Sequence, residues 1–292
     1  MTGLLLGLSS AICFSSASVC FKLGQRTQSG DNGLWLSIML NTVMLGLISA
    51  FLVWSPWSTS GIVALIIGGI VGTVGGRSSN LKAIRLIGPS RSNAFLTANP
   101  VVAALGGWLF LDETLGLQEF AGGALVILGL LWLIRSRSTP DATAAQPPTR
   151  GYLWATAAPL FFGSAFVFRK WGLARFPGSV TGAFIGAAAA FLVVSLIDAR
   201  AGRLGTTARA NFKPVAWWYV AAGTFTTLAL LSQFSAFSYL PAWVVGILQG
   251  TQGLFTLLLG WIFLRQEERI DRTLVGSVLL VLAGVVLIGL EV

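Results

Sequence analysis

A chain of 292 residues that is 55% hydrophobic and only 10% charged, with a mean hydropathy of +0.80, lies far outside the composition of soluble domains and is expected to reside in lipid. Its formal net charge of +9 is spread singly between apolar stretches, as in the cytoplasmic loops of membrane proteins, so nucleic acid is not an expected partner. There is no histidine, and Cys13 and Cys20 share one apolar stretch; this removes imidazole metal sites, histidine-based triads and a zinc or disulfide framework, and no metal or cofactor is expected.

Met1-Thr2-Gly3 leads straight into apolar sequence without a basic flank or cleavage site, so the first stretch is expected to be a retained helix. Stretches long enough to span roughly 30 Å of hydrocarbon run from Gly3 to Phe21, Gly33 to Trp54, Gly61 to Ile84, Pro89 to Leu111 and Leu117 to Ile134. Arg135 to Arg150 (RSRSTPDATAAQPPTR) is polar and rich in Pro and Ala, cannot bury a core, and reads as a flexible linker. Five more stretches follow: Gly151 to Trp171, Val180 to Ile197, Pro214 to Phe237, Pro241 to Leu264 and Thr273 to Leu290. The alternating ten-residue segments of a β-barrel are missing. The expected fold is all-α integral membrane, ten transmembrane helices divided as residues 1–134, a linker 135–150, and residues 151–292.

The two parts repeat each other. Setting Gly3 against Gly151 pairs Phe14 with Phe162, Ser16 with Ser164, Ala17 with Ala165 and Lys22 with Lys170. A later block pairs Asn80 with Gln233, Ala83 with Ala236, Asn99 with Gln252, Gly107 with Gly260 and, with one residue of slip, Glu113 with Glu267. Five helices per copy send the second copy in from the opposite side, an inverted-topology repeat. Alternate connections collect Lys22, Arg26, Arg77, Lys82, Arg85, Arg91, Arg135, Arg137, Arg150, Arg200, Arg203, Arg209, Lys213, Arg265, Arg269 and Arg272 on one side, against Arg169, Lys170 and Arg175 on the other. The rich side is expected to be cytoplasmic, with the linker, and both termini extracytoplasmic.

The run NLKAIRLIGPSRSNAFLTANPVVAALGGWLFLDETLGLQEFAGGALVILG, its second-half counterpart ending GWIFLRQEERIDRTLVGSVLLVLAGVVL, and the five-plus-five layout resemble the EamA-like transporters of the drug/metabolite transporter superfamily. The likeness rests on a helix-breaking connection between helices 3 and 4, Asn99-Pro100 in helix 4, Glu113 just past it and a Gly-rich helix 5. Phe14 stands where the family usually has a helix 1 tryptophan, and helix 9 carries Gln249 and Gln252 without a proline. The resemblance implies a central cavity ringed by helices 1, 3, 4, 6, 8 and 9. It implies a transporter rather than an enzyme: an exporter or exchanger of small organic metabolites such as amino acids, multi-pass in a cell membrane, the inner membrane of a bacterium, as a monomer or homodimer. A lipophilic-cation efflux carrier and a non-transporting scaffold are the rival functions.

Asn99 and Gln252, repeat mates near midplane, are the leading substrate-binding candidates, because an amide in lipid must face protein or water. The rival role is interhelical glue, worth about 0.6 kcal/mol. Ser16, Ser164, Asn80, Gln233 and Gln249 are further candidates, and Pro100 is a candidate hinge. Tryptophans such as Trp35 and Trp171 are assigned to interfacial belts, and Gly68, Gly69, Gly72, Gly75 and Gly76 to helix packing. No acidic residue falls in the middle of a span, so the cavity is expected to be neutral, amide-bearing and aromatic. Glu113 with Lys170, and Glu267 with Lys22, are expected to form a gate at each mouth.

Overall fold

Backbone polar groups in hydrocarbon must be satisfied within their own segment or barrel, which leaves the helix as the solution for sequences of this kind. The computed structural model describes residues 1–27, 33–52, 56, 58–113, 116–137, 148–212, 217–263 and single positions between 276 and 287, and every regular element among them is helical. In the first part these are α1 (Thr2–Thr27), α2 (Leu34–Ala50), α3 (Thr59–Ile70), a π-helical segment (Val71–Arg77), α4 (Ser78–Ile87), α5 (Pro89–Phe95), a 3₁₀ segment (Leu96–Ala98), α6 (Asn99–Phe110) and α7 (Leu117–Arg137). In the second they are α8 (Thr149–Arg175), α9 (Ser179–Arg200), α10 (Leu204–Phe212), α11 (Trp217–Phe237), α12 (Ala242–Gly250) and α13 (Gln252–Phe263).

Six of these runs are long and apolar enough to cross a membrane: Thr2–Thr27, Thr59–Ile87, Thr149–Arg175, Ser179–Arg200, Trp217–Phe237 and Ala242–Phe263. Leu34–Ala50, Asn99–Phe110 and Phe120–Gly129 are shorter apolar helices. Gly276, Ser277, Leu279, Leu280, Ala283, Gly284 and Leu287 of the expected last span are helical. The rest of that span and residues 138–147 of the linker lie outside the described residues.

Two kinds of irregularity interrupt the regular winding. The run Thr59–Ile87 changes to π winding across VGTVGGR and back, a rare geometry that concentrates at functional sites. Its glycines let α8 lie close: a Cβ on Gly75 would fall 2.7 Å from the Phe161 ring and one on Gly72 would fall 2.7 Å from Nη2 of Arg169. The glycine run is thus the close-packing surface expected of it, with one wall of that contact formed by Arg169. The second irregularity is a pair of breaks. Pro100 does not kink a continuous helix; it sits in the first turn of α6, after the chain has tightened into the 3₁₀ segment, where its missing N–H costs nothing. In the second part α12 stops at Gly250 and α13 starts at Gln252. The restarting residues, Asn99 and Gln252, are the two that the sequence repeat pairs.

The two parts interlock. α1 packs along α11, α3 against α8 and α9, α2 against α9 and α11, and α6 against α12 and α8. Fully buried Tyr219, Phe166, Phe234, Phe237 and Trp243 fill the interior, while Leu105, Trp108, Leu109, Leu192 and Leu196 point outward, as lipid contact requires. Trp35 faces inward: it is buried, donates from Nε1 to Ser195 Oγ at 3.1 Å and packs on Phe191. Trp154 and Trp171 do sit beside cations, Lys82 Nζ at 4.0 Å and Arg175 Cζ at 3.5 Å from the ring centroids.

Candidate functional site

A cavity lies where the two parts meet. It is walled by Phe14, Ala17, Ser18 and Phe21 of α1, by Gly72, Thr73 and Arg77 of the π segment, by Asn80, Leu81 and Ile84 of α4, and by Leu96 and Asn99. Facing these are Phe162, Phe166 and Arg169 of α8, Thr226, Leu230 and Gln233 of α11, Gln249 of α12 and Gln252 of α13. Its volume is about 60 Å³, room for a handful of waters, whereas sites that enclose a small molecule run to hundreds of Å³.

Two arginines dominate its electrostatics. Arg77, assigned from sequence to a connection, closes the π segment inside a helical run, ten residues or about 15 Å short of its end at Ile87. Its Nη2 donates to Thr226 Oγ1 at 2.9 Å, and Thr226 Oγ1 donates on to Ala222 O. Nη1 lies 2.9 Å from the Asn41 carbonyl oxygen, with that amide oriented so that its nitrogen, which has two hydrogens to donate, lies within hydrogen-bond distance of Thr227 Oγ1, Gly223 O and Ser37 O. The Arg77 Cζ stands 5.3 Å from the Phe21 ring centroid.

Arg169, also assigned to a connection, lies inside α8, which continues to Arg175. Its Nη1 donates to Gln233 Oε1 at 2.7 Å, its Cζ stands 5.4 Å from the Phe234 ring, and its Nε is buried without a hydrogen-bond partner. The two side chains are only 9% and 4% exposed. A guanidinium stays protonated under such burial. The described carboxylates, Asp112, Glu113 and Asp198, are not among the cavity walls. Hydroxyl, amide and ring neighbours therefore solvate two charges that nothing described in the cavity neutralises, which corrects the expectation of a neutral cavity.

The sequence-predicted amides distribute around this pair. Asn80, Asn99, Gln233, Gln249 and Gln252 all line the cavity. Asn80 donates from Nδ2 to Asn93 Oδ1 and accepts at its own Oδ1 from Ser92 Oγ; Asn93 Nδ2 donates to Thr256 Oγ1, and Thr256 Oγ1 to Gln252 O. Gln252 Nε2 donates to Ser18 Oγ and Gln249 Nε2 to Ser10 Oγ. Asn99 Oδ1 is buried with no partner.

Ser16 and Ser164 are not in the cavity wall. Each returns its hydroxyl proton to its own helix, at Ile12 O and Leu160 O, and Ser164 borders an apolar crevice between α3, α6 and α8. Phe14, Ala17, Ser18 and Phe21 show the cavity-facing stripe of α1, spaced by three and four residues. Ser16 falls off that stripe.

The Glu113 and Lys170 side chains hold helix ends instead of making a direct ion pair among the described residues. Glu113 Oε1 accepts from Ala242 N–H at 2.9 Å, at the start of α12, and Lys170 Nζ donates to Phe237 O and Leu240 O at the end of α11. Each charge meets the helix terminus of opposite partial charge. Burial pushes the Glu113 carboxyl above the ordinary carboxylate range, against the pull of the Ala242 N–H, the Lys170 charge and the Trp243 N–H. Lys22 lies in α1, and its expected partner Glu267 falls outside the described residues.

Sequence reasoning missed both arginines, although each already stood within an apolar stretch, Gly61 to Ile84 or Gly151 to Trp171. A cation in the body of a span is itself the signal of a functional position.

No curated protein matches this chain in sequence. A solved structure titled only as the crystal structure of a protein superposes with a TM-score of 0.67 at 16% identity, over 99% of this chain and 96% of that one, a likeness of fold. The model of the EamA-like transporter family matches residues 1–135 and again 149–290. With one copy of that domain in each interlocked part, the chain belongs to the EamA-like transporter family, a multi-pass membrane transporter of the drug/metabolite type.

Proposed function

We propose that this protein is a ten-helix carrier that moves small organic metabolites, amino acids among them, by alternating access, as an exporter or exchanger. Two five-helix units of inverted topology would rock about the central cavity. One observation carries this reading: the cavity walls come from both parts, and its space fits only a few waters. A solute can pass only if the parts separate on one side and then the other. The matched helix restarts at Asn99 and Gln252 give each part an equivalent interruption at the cavity, with Pro100 at one of them. Glu113 and Lys170, each on one end of the α11–α12 turn, suit a latch at one mouth. With Arg77 and Arg169 removed from the loop count, the basic residues still crowd the linker side. That bias supports a cytoplasmic linker and extracytoplasmic termini in a bacterial inner membrane; labelling of a linker cysteine from outside would overturn it.

Saturable flux into proteoliposomes tests the carrier. Asn99→Ala removes a buried acceptor that has no partner, so folding stability should hold while flux falls about tenfold, the worth of one hydrogen bond to a solute. Gln252→Ala should behave alike, less the small contribution of its bond to Ser18. Wild-type flux in both variants would make these amides glue and move the site elsewhere. A saturable flux that never appears would overturn the carrier.

A further inference from the structure

A cavity built only to be crossed by neutral solutes has no use for two buried guanidinium groups. Moving such charges out of water costs several kcal/mol each even after relaxation, and intramembrane cations persist where a pathway or ligand needs them. The two arginines differ in how they are held. Arg77 is anchored on three sides, by Thr226, by Asn41 and by the Phe21 ring, and forms part of the frame. Among the described residues Arg169 has one hydrogen bond, to Gln233, and its buried Nε–H has no acceptor. Its guanidinium lies against Gly72, whose missing side chain leaves it room. No described carboxylate lines the cavity, so neither charge has a counter-ion among the described residues.

We infer that the transported solute is a small organic anion whose carboxylate or phosphate group docks on Arg169, with Arg77 behind it as a fixed second charge. The guanidinium fork matches two oxygens of either group, and the orphaned Nε–H supplies one of the donors such a contact uses. Phe162, Phe166 and Leu230 then pack the carbon skeleton. The same charges repel a lipophilic cation, which disfavours the multidrug alternative. The inference takes its transport step from the carrier proposed above, whereas binding needs no transport.

Purified protein in detergent is titrated with glutamate, succinate, glycerol 3-phosphate and inorganic phosphate, with uridine as the neutral and tetraphenylphosphonium as the cationic probe, and thermal unfolding is followed. The same solutes, radiolabelled, are then followed into proteoliposomes. The expected result is saturable stabilisation by an organic anion and none by uridine or tetraphenylphosphonium. Arg169→Gln should weaken that binding tenfold to a hundredfold, the range for a lost charged hydrogen bond, with partial recovery in Arg169→Lys. Response to glycerol 3-phosphate and phosphate alone identifies a phosphate group, and response to glutamate or succinate a carboxylate; either upholds the inference. Stabilisation by uridine or tetraphenylphosphonium that survives Arg169→Gln, or no response to any anion, overturns it, and the carrier then stands or falls on uridine flux. Anion binding without flux of any probe upholds the site and overturns the carrier. If Arg169→Gln fails to fold, competition in the wild type decides: the bound anion must be displaced by other anions and not by uridine.

Discussion

Gln233→Leu should destabilise the folded protein far more than the loss of one polar contact suggests, because among the described residues Gln233 Oε1 accepts the one hydrogen bond that holds Arg169, at 2.7 Å. The leucine fills similar volume, so packing changes little, but Arg169 is left 4% exposed with the Phe234 ring against its charge and no hydrogen bond to a described residue. A hydrogen bond to a charged group is worth about 1.5–3 kcal/mol, and breaking the partner of a buried charge costs about 3–5 kcal/mol. The expected loss is therefore about 2–4 kcal/mol. Arg169→Leu alone leaves behind a neutral amide, a smaller penalty of about 1–3 kcal/mol. In the double variant no charge is stranded and no amide is orphaned, so the losses should not add; the coupling should reach at least 1 kcal/mol, on the order seen for residues in direct contact. Reversible unfolding in mixed micelles, scored for all four proteins, measures the cycle. Additivity within about 0.5 kcal/mol would refute the view that Gln233 exists to hold this cation.

Gly72→Ala and Gly75→Ala crowd the same π segment, with new Cβ atoms 2.7 Å from Arg169 Nη2 and from the Phe161 ring respectively. Overpacking of about 1–3 kcal/mol, offset by about 1 kcal/mol of helix propensity, should cost both variants similar stability; only Gly72→Ala should cut flux tenfold or more, and equal flux in the two would refute the guanidinium's placement by Gly72. Glu113 gives a pH signature: its carboxyl is raised from 4.5 chiefly by burial, so the folded protein holds this proton more tightly than the unfolded chain. That stability is complete below about 4.5, the unfolded-state value, and is lost as pH rises through the folded value. Glu113→Gln keeps an acceptor for Ala242 N–H but cannot titrate, so wild-type stability relative to this variant should fall from about pH 4.5 upward. Parallel curves would refute it.

The helical membrane fold was legible because hydrocarbon leaves so few choices for a chain of this composition. Asn99 and Gln252 were legible because a lone amide in lipid must turn inward. Serine carries no such information: in a helix it can satisfy itself on the carbonyl one turn back, so Ser16, which faces elsewhere, and Ser18, which bonds Gln252, look alike in sequence. Arg77 was hidden by the π segment. Winding at the ordinary 3.6 residues per turn carries no phase through a change to wider turns, so the face on which Arg77 emerges cannot be counted from Gly61. Arg169 was hidden by its neighbour Lys170. Two adjacent cations read as a helix end, yet α8 runs on to Arg175 and the two side chains part, one into the cavity and one to the carbonyls at the end of α11.

The buried pair also bears on how transport would be coupled. In a carrier the state that crosses is the closed one, and here closure strips water from two guanidinium groups that face no described carboxylate. An anion on Arg169 lowers that cost most in the closed state, where water has least access and the attraction is least screened. A ligand shifts a conformational equilibrium only by its differential affinity for the two states. Closure of the empty cavity is thus held back by the same charges that favour closure of the loaded one. A carrier arranged this way returns more readily with a solute than without, which favours exchange over net efflux and needs no proton-carrying acid at midplane.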